Sequence, residues 1–189
     1  LGFSGVVDFN HCWTDAQNLF EAGEITHFAM LHGDIEPDPT QHWLDILIEE
    51  MEAHEAELVS AHLSMKDSRG LTTSGICDLS NPWHPFRRFT QREILHNLPE
   101  TFNNVTADYP DKPLLHNTGC WVANLRKSVF REVNEDGSLK TFFQFPERIV
   151  RDRIDGKWMK QQESEDWKFS RDLWEQNARN TWITPRVRL

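Results

Sequence analysis

What this 189-residue sequence lacks narrows it first. Apolar runs such as Ile25–Leu31 stop far short of the roughly 20 residues a bilayer-spanning helix needs. The opening residues do not read as a secretory signal, so the expected setting is cytoplasmic. Cysteine is scarce: Cys12, Cys77 and Cys120 are widely spaced, form no CxxC pair and leave one over, which reads as reduced thiols. No basic tract exists either. Lys and Arg number 20 against 30 Asp and Glu, a net charge of -10, and residues 1–120 hold only 6 of the cations against 19 carboxylates. Non-specific nucleic-acid binding needs clustered Lys and Arg, so no nucleic-acid partner is expected. Tyrosine occurs once, whereas Trp (8) and Phe (12) are abundant. With 38% hydrophobic and 26% charged residues, and no repeat or low-complexity tract, 1–189 reads as one globular domain. It opens on an apolar stretch (Leu1, Phe3, Val6, Val7) that reads as the interior of a longer chain, truncated at its N-terminus.

Hydrophobic spacing predicts a helix over 13–22 ending at Gly23, then a strand at Ile25–Leu31 buried on both faces. Asp38-Pro39-Thr40-Gln41 reads as an N-cap, a first-turn Pro and a capping box for a helix carrying Leu44, Leu47, Ile48 and Met51 on one face. A buried strand follows at Leu58–Leu63. This alternation predicts an α/β domain with a mainly parallel sheet flanked by helices. Proline-rich residues 64–113 read as loops around one helix near Thr90–Leu98. Beyond them come a strand in Leu114–Val122, a short helix at Leu125–Phe130 and a hairpin turning at Asp155-Gly156. A helix capped by Ser164 and a last strand at Thr181–Val187 close the chain.

Four segments carry residue types suited to chemistry. His32-Gly33-Asp34-Ile35-Glu36-Pro37 follows the first strand, and ligands of open α/β sheets bind at the carboxyl ends of strands. In extended backbone His32, Asp34 and Glu36 project together and could ligate Mn²⁺ or Mg²⁺; a polar strand-to-helix loop is the alternative. Glu165 and Asp166 open a helix, where the macrodipole alone favours acids, but a carboxylate fixed there can also act as general base. Lys66 and Arg69 could clamp a phosphate or simply decorate a solvated turn. Asn117-Thr118-Gly119-Cys120-Trp121 is a small polar turn whose Trp121 could stack on a ligand or pack in the core.

Taken in order, His-Gly-Asp-Ile-Glu-Pro, Lys-Asp-Ser-Arg-Gly, Asn-Thr-Gly-Cys-Trp and Ser-Glu-Asp-Trp-Lys-Phe-Ser-Arg resemble a glycosyltransferase of the GT-A fold over most of residues 5–187. The resemblance implies a Rossmann-like, mainly parallel sheet with a C-terminal β-hairpin and helix. It also implies metal-dependent sugar transfer from a nucleotide-diphosphate donor to an acceptor hydroxyl. The family's Asp-x-Asp metal element falls on His32 and Asp34, with Glu36 beside it. Its catalytic acidic pair falls on Glu165 and Asp166, the second as base. Asn10 sits where the family often has a polar residue near the nucleotide, and Lys66, Arg69, Asn117 and Trp121 are the other substrate-binding candidates by their own chemistry. Asp34 comes early for this family and no terminal His ligand precedes Leu189, a departure that suits a non-catalytic binding or assembly module, with homo-oligomerisation a possible partner state.

Overall fold

The order of strands in the main sheet follows from one late insertion. In the computed structural model, which describes residues 4–189, helix α1 (Ser4–Glu21) leads into strand β1 (His27–Leu31), helix α2 (Trp43–Ala53) and strand β2 (Leu58–Ala61). Strands β3 (Leu71–Cys77) and β4 (Pro85–Thr90), helix α3 (Gln91–His96), and strands β5 (Leu114–Leu115) and β6 (Cys120–Asn124) come next. A 3₁₀ turn at Ser128–Arg131, the ribbon β7 (Glu147–Arg151) and β8 (Trp158–Gln162), helix α4 (Glu165–Glu175) and strand β9 (Thr181–Thr184) complete the chain. The side chains at the apolar opening, Leu1 to Val6, lie outside the described residues.

The main sheet runs β1-β6-β2-β9. β6 lies antiparallel between β1 and β2, pairing Met30 with Trp121 on one side and Val59 with Val122 on the other. Among the described residues only β2 and β9 pair in parallel. A second sheet, β4-β3-β5, is antiparallel throughout, and β7 and β8 pair only with each other. The mainly parallel Rossmann-like sheet expected of a GT-A fold is therefore corrected: this is a mixed α/β protein with small antiparallel sheets and four α-helices among the described residues. The expectation failed because helix–strand alternation says nothing about a later strand entering between two earlier ones. β1, taken for a doubly buried strand, is instead an edge with only Met30 buried.

Strand periodicity then sorts the core into two layers. Trp121 and Ala123 of β6 face one side, where α1 supplies Trp13 and Ala16 and α4 supplies Phe169 and Leu173. Cys120 and Val122 face the other, against Leu47 and Met51 of α2. Trp13, Trp121, Phe143 and Phe169 interlock, with the Phe143 and Phe169 rings stacked 4.6 Å apart. Aromatic bulk thus fills the space that the scarce aliphatics leave. Helix α1 ends where Gly23 takes φ +75°, a left-handed cap that glycine adopts without strain.

Two expected caps take other forms. Helix α2 starts at Trp43, and Asp38 instead accepts from its own turn, from Thr40 N–H at 2.8 Å and Thr40 Oγ1 at 2.6 Å. Ser164 precedes α4 without a side-chain capping bond, while Thr90 and Glu93 form a full capping box at α3. Residues 64–113, read as loops, contain the whole of β3 and β4. Gly75 is the reason they sit so close: a Cβ there would lie 2.4 Å from the Arg87 carbonyl oxygen. No helix among the described residues is long and apolar enough to cross a membrane.

Gly75→Ala is expected to destabilise the protein by about 1–3 kcal/mol, since backbone must move to admit the methyl group. Gly33→Ala, with open space around its Cβ, is expected to change stability by less than about 0.5 kcal/mol. Urea midpoints of the two variants check both.

Candidate functional site

The antiparallel entry of β6 sets the carboxyl end of β1 beside the amino end of β6, and the ladder runs one step beyond both: His32 N–H donates to the Gly119 carbonyl at 2.6 Å. The turn His32–Ile35 follows at once, closed by Ile35 N–H to His32 C=O at 3.0 Å. Across from it the chain leaving β2 brings Leu63 to Lys66, and the start of α4 brings Glu165 and Asp166. Together these segments line an open cleft of about 360 Å³, walled also by Phe9 and Thr73.

His32, Asp34, Lys66, Asn117, Glu165 and Asp166, scattered through the chain, all line this one cleft. Glu36 does not, because the turn at His32–Ile35 breaks the extended alternation that would have aimed it alongside Asp34. Arg69 turns away, its guanidinium bonded to Asp67 at 2.7 and 3.0 Å. Asn10 uses both ends of its amide on the Phe143 backbone, each at 2.9 Å, clamping α1 to a loop 133 residues away. Trp121 is wholly buried in the aromatic core. Asn10 and Trp121 thus serve the packing, while Glu36 and Arg69 lie outside the cleft.

The cleft has two electrostatic ends. At its mouth Asp34 is exposed, accepts from His32 Nδ1 and from Lys66 Nζ (3.1 Å), and is held below the ordinary carboxylate range by the His32 bond first and Lys66 second. At the inner end burial raises Glu165, and burial together with the neighbouring Glu165 charge raises Asp166 to about 7. The Thr118 hydroxyl donates to Asp166 Oδ1, and charge on His32 also favours ionisation of both acids, so these contacts oppose the rise without cancelling it. Asn117 Nδ2 stands 3.5 Å from Asp166 Oδ2, while its Oδ1 accepts the Gly119 N–H at 2.6 Å. A Cβ on Gly119 would press on Ile35, Asn117 and Leu63, all cleft residues, so the floor stays open only because position 119 lacks a side chain.

Sequence reading missed Phe9, whose ring packs edge-on against His32 at 5.7 Å, and the role of Thr118 as a donor to Asp166. Phe9 left a signal only as one apolar position on α1. Thr118 sat inside a segment already singled out, but nothing local says which of its neighbours faces α4.

Asp34 and His32 are the residues at the cleft mouth that could hold a hard divalent cation. Such ions need only one or two protein carboxylates when phosphates complete the shell. Asp34 and His32 offer a carboxylate and an imidazole side by side at the cleft mouth, whereas no group of three or more His, Cys, Asp or Glu gathers among the described residues. Lys66 already supplies one fixed positive charge at the same carboxylate.

Because the folded state raises the Asp166 pKa, it holds that proton better than the unfolded chain does. Asp166 therefore contributes stability below about pH 4 that is lost as pH rises through about 7. Asp166→Asn, which never ionises, is expected to raise Tm relative to the parent more at pH 7.5 than at pH 4.5. Thermal melts at the two pH values check the sign.

Comparison of the chain with protein-family models, with curated proteins and with solved structures finds no match.

Proposed function

We propose that this cleft transfers a sugar from a nucleotide-diphosphate donor to an acceptor hydroxyl. The observation that carries the reading is the meeting, in one cleft, of a cation-paired carboxylate (Asp34 with Lys66) and a carboxyl group poised near neutrality (Asp166). Group transfer from a diphosphate needs both. The leaving oxygens need positive charge, and the incoming hydroxyl needs a base.

In this reading Asp166, in its ionised form, takes the proton of the acceptor hydroxyl as that oxygen bonds to the sugar carbon and the bond to the diphosphate breaks. A base with a pKa near the working pH is half ionised and still strong enough to accept the proton. Thr118 and Asn117 orient the carboxylate, and Glu165 keeps its affinity for a proton high. Lys66 meets the diphosphate as it leaves with the nucleoside. Asp34 and His32 are the residues that would hold Mn²⁺ or Mg²⁺, which supplies Lewis-acid neutralisation of the same oxygens when bound. The motif order that resembles glycosyltransferases supports the assignment of roles, although the sheet expected with it is absent.

A second reading, a non-catalytic binding module, draws on Asn10 and Trp121. Both were expected to bind substrate, and both are committed to packing.

Calorimetric titration with UDP and GDP, with and without Mn²⁺, tests the donor site: binding is expected in the parent protein and loss of it in Asp34→Ala. Asp166→Asn is expected to leave that binding intact while lowering the transfer rate by about 10²–10⁴-fold, the usual range for a lost general base. Normal turnover in Asp166→Asn would refute its role. Binding without turnover in the parent protein, over a panel of acceptors, would favour the binding module.

A further inference from the structure

Away from this cleft, a larger cavity of about 830 Å³ opens between the β7–β8 ribbon and the loop at residues 80–84. Arg148, Arg151 and Arg153 line it, with His84, Ser80 and Asn81 on the facing loop. None of the three arginines forms an ion pair among the described residues, although most other cations of this acidic chain do.

The nearby acids are occupied elsewhere. Glu147 pairs with Lys160 and Asp155 with Lys157. Asp152, which also lines the cavity, accepts from the turn's own Ile154 and Asp155 N–H groups at 2.6 and 3.2 Å. Asp78 accepts from Ser80. Two of the arginines are held in place. Arg148 lies over the Trp83 ring at 4.3 Å and donates to Gln161 Oε1 at 2.8 Å. Arg151 lies over Trp158 at 4.6 Å and donates to the Gly156 carbonyl at 3.2 Å. Stacking fixes a guanidinium while leaving its edge N–H groups free to donate, and arginine forks match phosphate oxygens in geometry and charge.

We propose that this cavity is a binding site for a phosphate-bearing anion, with Arg148, Arg151 and Arg153 as its cations. Two sources offer the same chemistry, a small polyphosphate and the backbone of a single-stranded nucleic acid. The overall charge of -10 opposes long-range capture of either, so the cavity acts by local contact and its binding is strongly salt-dependent. The site is separate from the sugar-transfer cleft and does not rest on that reading.

The test is calorimetric titration of the full chain with inorganic tripolyphosphate, with a deoxythymidine decamer, and with citrate as a non-phosphate polyanion. Tripolyphosphate is expected to bind, and each Arg→Gln change at 148, 151 or 153 to weaken it about tenfold or more, as charge-assisted hydrogen bonds do. Lys66→Ala is expected to leave that binding in place. Circular dichroism melts of the variants guard against misfolding, and substitutions at these exposed positions are expected to leave Tm unchanged. A decamer that binds more tightly, with a log–log salt slope near about −2 for three phosphates, makes the nucleic-acid strand the source. Equal or weaker decamer binding makes it a small polyphosphate. The proposal is overturned if neither phosphate probe binds, if citrate binds as tightly as tripolyphosphate, or if binding survives the triple Arg→Gln variant and vanishes in Lys66→Ala.

Discussion

The placement of β6 between β1 and β2 is the constraint on which the cleft depends. Its pairing with β1 brings Gly119 against His32, and its pairing with β2 sets the strand from which the chain runs on to Leu63 and Lys66 on the opposite bank. The polar turn just before β6 then meets the first turn of α4, where Thr118 finds Asp166. One strand of five residues thus sets three walls at once. The aromatic layer beneath, in which Trp121 of β6 packs on Phe169 of α4, keeps that helix from shifting relative to the turn.

Charge is graded along the cleft. At the open mouth, solvent, His32 and Lys66 stabilise a carboxylate; at the inner end, burial and a neighbouring acid disfavour one. Two similar carboxyl groups therefore hold different protonation states at one pH, which is how an enzyme assigns separate tasks to chemically similar side chains. The gradient arises from position alone, since Asp34 and Asp166 are the same residue type.

Local signals in the sequence were legible where they act locally. Gly23 marked the end of α1, and Asp155-Gly156 marked the turn of the ribbon, although that turn spans more residues than the dipeptide suggested. Lys66, Asn117, Glu165 and Asp166, singled out by their types and flanking segments, line one cleft. What escaped was non-local. The polar strand Leu-Thr-Thr-Ser-Gly-Ile-Cys carries little hydrophobic alternation and gains its ladder only from β4 and β5. Trp121 and Asn10 are residue types found equally in cores and in sites, and only the partner across the fold decides between them. Glu36 was misjudged by assuming extended backbone through a turn.

The Asn10 clamp also bears on how the chain reaches this structure. It joins residues 133 apart, and the Asn180–Glu57 bond beside the β2–β9 pair spans 123. The first two strands gain their shared neighbour only after β6 is made, and β2 gains its parallel partner only with β9. Such a topology has high contact order, so loop-closure entropy must be met before native contacts return it, and folding is correspondingly slow. During synthesis the edge strand β1 would wait for β6, and the apolar face of α1 would stay partly uncovered until Phe143 and Phe169 emerged.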